Sequence, residues 1–80
     1  MTRSEKLLEA ATNNPAGLRF DDFETLLARC GWRLDRQDGS HRIWYSKQGI
    51  RLPVQEGKAG KAKAYQVKQF LKAYQEERDE

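Results

Sequence analysis

The stretch on which the fold turns is Gly31–Trp32–Arg33–Leu34–Asp35–Arg36–Gln37–Asp38–Gly39–Ser40–His41–Arg42–Ile43–Trp44–Tyr45. Before it, apolar side chains recur at helical spacing; within it, they alternate. Trp32, Leu34 and Arg36 alternate with Arg33, Asp35 and Gln37, the period of a strand. Asp38–Gly39 is a strong hairpin signal, because glycine accepts the positive φ that tight turns need. A second strand then puts Ile43 and Tyr45 on one face and Arg42 and Trp44 on the other. Strands are expected near residues 32–37 and 41–46.

Working outward, Ser46–Lys47–Gln48–Gly49 reads as the next turn, and Ile50, Leu52 and Val54 alternate as a third strand near 50–55. Pro53 lacks an amide proton, so that strand belongs at a sheet edge, as in a three-stranded meander. Residues 56–60 form a loop with two glycines. A closing helix is expected at about 61–75, with Ala64, Val67, Phe70, Leu71 and Tyr74 as its buried face. Lys61, Lys68 and Lys72 fall on another stripe with Tyr65 among them.

Upstream, Phe23, Leu26, Leu27 and Cys30 share one apolar helix face, and Asp21, Asp22 and Glu24 suit its positive end. Gly31 stands where a C-cap glycine belongs. Thr2–Arg3–Ser4–Glu5 matches a capping box, and Leu7, Leu8 and Ala11 make a first amphipathic helix, stopped by Asn13–Asn14–Pro15–Ala16–Gly17. The order helix, helix, three antiparallel strands, helix describes an α+β domain with helices on one face of a small sheet. Its parts are a helix and linker over 1–17, a core over 18–75 and an acidic tail over 76–80. In this arrangement Trp32, Tyr45 and Cys30 are expected in the core.

Eighty residues make one domain. No apolar run approaches the roughly 20 residues that span a membrane, and the N-terminus has no secretory h-region. A single cysteine leaves no disulfide framework, so the chain is expected in the cytoplasm. One cysteine and one histidine do not make a zinc site of the usual ligands, and no cofactor is expected. Charge is unevenly distributed: residues 31–72 carry ten basic and three acidic side chains, whereas the last eight carry one basic and four acidic. The middle of the chain therefore suits a polyanion, although lysines on a solvated face read the same way.

The only histidine, His41, follows the hairpin turn at the rim of the sheet. Sharing parity with Ile43, its ring is expected to lean toward the helices. An imidazole there can exchange protons near neutral pH. Arg36 and Arg42 flank it on the paired strands, Ser40 precedes it, and Lys58, Lys61 and Lys63 approach the closing helix. Lysines beside a helix N-terminus form a phosphate site. Histidine beside phosphate-binding cations suffices for cleaving RNA, whose 2′-hydroxyl is an internal nucleophile.

These residues also resemble the HicA family of bacterial toxins. The shared pattern is a helix ending near Gly31–Trp32, a basic strand, the Gly39–Ser40–His41 turn, then Ile43–Trp44–Tyr45. The segment Gly60–Lys61–Ala62–Lys63–Ala64–Tyr65–Gln66–Val67–Lys68–Gln69–Phe70–Leu71 resembles the closing helix of the longer members. The resemblance covers roughly residues 18–74. It implies a double-stranded-RNA-binding-domain-like fold and an mRNA interferase of a type II toxin–antitoxin system, neutralised by a HicB antitoxin. The family's catalytic histidine maps onto His41. Many members carry a second histidine where this chain has Arg42, and a His-Pro pair where it has Gln55–Glu56–Gly57–Lys58. The alternatives are a non-catalytic RNA-binding module and a protein whose basic face serves only an acidic partner.

Overall fold

A computed structural model describes residues 2–78. Three helices, α1 (Arg3–Asn13), α2 (Phe20–Arg29) and α3 (Ala64–Arg78), accompany three strands, β1 (Arg33–Asp38), β2 (His41–Tyr45) and β3 (Arg51–Gln55). The sheet is an antiparallel meander in the order β1-β2-β3, so Pro53 lies in an edge strand. This is the α-α-β-β-β-α arrangement expected from the change of period.

Local signals act as their chemistry dictates. The Thr2 hydroxyl accepts from the Glu5 amide while the Glu5 carboxylate accepts from the Thr2 amide, closing a capping box on α1. At the end of α2, Gly31 takes φ +89°. The Trp32 amide donates to the Leu27 carbonyl and the Gly31 amide to that of Ala28. This is a Schellman closure, and it folds Trp32 back against the helix it follows. Between β1 and β2, Gly39 takes φ +64° at the first central position of a two-residue turn. Ser40 follows it, the pattern of a type II′ hairpin.

The helices meet the sheet on the face of Arg42, Trp44, Leu52 and Val54, with Trp44 opposite Leu52 and Arg42 opposite Val54. Trp32, Trp44, Leu52 and Val54 join Leu7, Ala11, Phe23, Leu26, Leu27, Val67 and Phe70 in one core. Phe70 is its hub, with ring centroids 6.0 Å from Phe23 and 5.8 Å from both Trp32 and Tyr74. Leu7 and Ala11 are buried in the same cluster, so α1 is an integral part of the core. Cys30 packs against its margin, and burial pushes its thiol pKa up, which favours the neutral form.

Four expectations are corrected. His41 and Tyr45 share the open face with Ile43, opposite the face that carries Trp44, Leu52 and Val54 into the core. Trp44 has the larger apolar surface, and its indole N–H finds a carboxylate acceptor on α2, so the Arg42/Trp44 parity turns inward. Ile43 is buried but outside the helix-side cluster, and Tyr45 is half-buried. Second, β1 does not alternate regularly. A bulge at Asp35 pairs Leu34 with Trp44 and Arg36 with Ile43, which moves Arg36 onto the face of His41.

Third, α3 starts at Ala64. Residues 61 and 62 are held by other partners: Lys61 bridges Arg19, Ala62 bridges Glu56, and the Ala62 amide donates to the Leu18 carbonyl at 2.8 Å. The buried face of α3 runs through Gln66, Val67, Phe70 and Ala73, with Leu71 and Tyr74 at its margin. Fourth, α3 continues to Arg78, whose guanidinium lies 5.4 Å from the centroid of the Tyr74 ring. Residues 76–78 of the expected tail are thus helical, and Asp79 and Glu80 lie outside the described residues.

Candidate active site

The type II′ turn delivers Ser40 and His41 to one end of the open sheet face, where both are exposed. Directly across from His41 on β3 is Gln55. Its amide nitrogen donates to the Ser40 hydroxyl at 2.8 Å, and its amide oxygen accepts from Lys63 Nζ at 3.0 Å. An ammonium group only donates, so Lys63 fixes which way the Gln55 amide points. Ser40 Oγ is an acceptor in this contact, and its own proton can be donated elsewhere.

The Gln55 backbone amide points off the free edge of β3 and donates to Gln66 Oε1 at 2.9 Å. Gln66 is buried on α3. With its oxygen taken, its Nε2 donates to the Tyr65 hydroxyl at 3.3 Å. One chain of hydrogen bonds therefore runs from the His41 turn through β3 to the first turn of α3. The Lys63 carbonyl accepts the amides of Gln66 and Val67, as an N-cap carbonyl does. Lys63 thus brings its ammonium group to the positive end of α3, beside Ser40 and Gln55.

Arg36 stands on the face of His41, two residues from its pairing partner Asp38. Arg42 does not. Its guanidinium crosses to α2 and donates to Glu24 Oε1 at 2.8 Å, while Glu24 Oε2 accepts from Trp44 Nε1 at 3.3 Å. Lys61 also turns away: its Nζ donates to the Gly17 carbonyl at 3.2 Å, on the side of α1. Lys58 is exposed in a single 3-10 turn, Lys58–Gly60, where Ala59 takes φ +56°. Of the residues singled out from sequence, Ser40, His41 and Lys63 come together, Arg36 shares their face, Arg42 and Lys61 do not, and Lys58 lies on the adjoining loop.

A groove of about 400 Å³ opens beside His41, between β3 and α3. Its walls include Arg51, Pro53, Tyr65, Gln66 and Gln69. Among the described residues there is no group of three or more His, Cys, Asp or Glu side chains placed to hold a metal ion.

Gln55 and Gln66 are the residues of this candidate site that sequence reasoning missed. Gln66 did carry a signal. It falls at i, i+4, i+7 with Phe70 and Ala73, a polar residue on an otherwise apolar stripe, which demands a buried hydrogen-bond partner. Gln55 offered none, because a polar residue at a strand end is ordinary.

No helix among the described residues is long and apolar enough to cross a membrane. No curated protein and no solved structure matches the chain. The family model described as the HicA toxin of bacterial toxin–antitoxin matches residues 20–75, from the first residue of α2 into α3. That match takes in the hairpin, the His41 turn and the Gln55–Lys63 contact. The chain belongs to the HicA family and is a toxin of a bacterial toxin–antitoxin pair.

Proposed function

We propose that this toxin is a metal-independent endoribonuclease of the cytoplasm, cleaving mRNA with His41 as its proton-transfer residue and silenced by a HicB-like antitoxin. The observation that carries this reading is the Ser40–Gln55–Lys63 contact beside an exposed His41. In RNA the 2′-hydroxyl attacks the adjacent phosphorus once a base removes its proton. The 5′-oxygen leaves with a proton, and a 2′,3′-cyclic phosphate remains. His41 serves one of these transfers, and Lys58, Tyr45 and water are the candidates for the other. Lys63 and the Ser40 hydroxyl supply a cation and a donor for the charge that builds on the phosphoryl oxygens. Arg36 and Lys58 extend the phosphate-binding surface on either side.

An antitoxin that silences this chemistry would cover the open face around His41 with acidic and aromatic side chains. A non-catalytic RNA-binding module is the second reading. It is favoured by one observation: the residue after His41 is Arg42, held by Glu24 on the opposite face, so the position that carries a second histidine in many members supplies no second imidazole beside His41.

Inducible expression in bacteria separates the two. Wild type is expected to arrest growth, His41→Ala to be harmless, and the neighbouring open reading frame to rescue wild type. Equal toxicity of His41→Ala at equal protein level would remove His41 from the activity.

A further inference from the structure

Tyr65 is unusual in being a large aromatic side chain 57% exposed yet held in place. Its hydroxyl accepts from Gln66, which is buried and itself fixed by the edge of β3. The ring is thus oriented at low entropic cost without being covered. It lines the same groove as His41, with Pro53 opposite and Gln69 and Arg51 able to hydrogen-bond. Among the described residues, no carboxylate lines this groove. Its volume of about 400 Å³ is of the size that encloses part of a small organic group.

The surroundings favour an anion. Lys63 stands at the start of α3, and Lys68 and Lys72 continue the exposed side of the helix one and two turns beyond Tyr65. An aromatic face in a carboxylate-free groove flanked by cations is the combination that binds unpaired nucleotides, with bases stacking and phosphates neutralised. Bases inside a duplex are already stacked and do not reach such a face.

Resting on the ribonuclease reading of this site, we propose that the groove between β3 and α3 seats one unpaired nucleobase of the RNA on the Tyr65 ring, beside His41. Tyr65 is then a specificity-determining residue that selects single-stranded over duplex RNA.

The test uses the His41→Ala protein, so that RNA is bound and not cut, with folding checked by circular dichroism. Its affinity is measured for a short single-stranded RNA, for an abasic ribose-phosphate strand of the same length, and for the RNA paired with its complement. Adding Tyr65→Ala should weaken the base-bearing strand roughly 5- to 100-fold and leave the abasic strand unchanged. Tyr65→Trp should restore the difference. Equal weakening of both strands, weakening of neither, or an equally sensitive duplex would overturn the proposal. So would a Tyr65→Ala protein that keeps its RNA affinity and loses its antitoxin. If the His41→Ala protein binds no RNA while Tyr65 is intact, the underlying RNA reading fails, a result distinct from failure of the groove.

Discussion

His41 and Arg42 are consecutive residues of β2, and they belong to different parts of the molecule. Arg42 faces the helices, where Glu24 takes its guanidinium and the Trp44 indole together. That face is electrostatically closed: Arg42 has a carboxylate, and Trp44, Leu52 and Val54 lie in the core. His41 faces outward beside Ser40, Gln55 and Lys63, where the Lys63 contact is a neutral amide. A neutral amide positions an ammonium group without cancelling its charge. The difference teaches that a basic sequence and a basic site are not the same thing. In this sheet, side-chain parity and the presence of an acceptor carboxylate decide which cations remain available to a polyanion.

If the two faces divide structure from chemistry, substitutions should separate stability from activity. The largest effect is expected from Phe70→Ala, deep on the helix side. Removing the ring that Phe23, Trp32 and Tyr74 pack around should cost about 3–5 kcal/mol. In a domain this small that is a large share of the total stability, and thermal or urea unfolding measures it. Glu24→Ala should follow. It strips the indole and guanidinium donors of their acceptor and should cost about 1–2 kcal/mol, less than for a dry pair because Arg42 is partly in water. The urea midpoint should fall while the turnover of folded molecules is kept. A midpoint that stays put while turnover collapses would put function on the Arg42 face and break the comparison.

The open face should respond in the opposite sense. Gln55→Ala removes the link between Ser40 and Lys63 and leaves the backbone bond to Gln66 in place. Unfolding should shift by less than about 1 kcal/mol, while cleavage falls roughly tenfold, the worth of one well-placed hydrogen bond. The smallest effect sharpens the distinction among cations. Lys63→Gln should reduce the slope of log affinity for RNA against log salt by about 0.7, one phosphate contact on a single strand. Lys61→Gln should leave that slope unchanged, because its ammonium lies beside the Gly17 carbonyl on the α1 side, away from the His41 face. Equal slopes for the two variants would place the phosphate path on the α1 side.

The fold was largely legible because it rests on local rules. The capping box at Thr2, the glycine closure at Gly31, the turn at Gly39 and the change of period on either side of the sheet are each decided within a few residues. What failed depended on partners far away in sequence. Nothing within residues 41–45 says that Trp44, and not Ile43, turns toward the helices; Glu24 and the area of the indole decide it. The bulge at Asp35 breaks a regular alternation that the residues themselves do not mark. The start of α3 moved from 61 to Ala64 because Leu18 and Arg19 compete for the backbone of residues 61 and 62. For the site, the turn and Lys63 were readable as chemistry-bearing residue types. The glutamines that join them were not, since an amide side chain announces a role only once its partners are known.

The central claim, that His41 transfers a proton in RNA cleavage, is tested most directly by incubating antitoxin-free protein with single-stranded RNA in EDTA. Wild type is compared with His41→Ala, both shown to be folded by circular dichroism, and the product termini are identified. Wild type is expected to cut without added metal and to leave 2′,3′-cyclic phosphate ends. His41→Ala should bind RNA with similar affinity and cut it at least about 100-fold more slowly, the usual worth of a general acid or base. Equal cutting by the folded His41→Ala protein would contradict the account, and RNA bound but left intact by wild type would make the molecule a binding module.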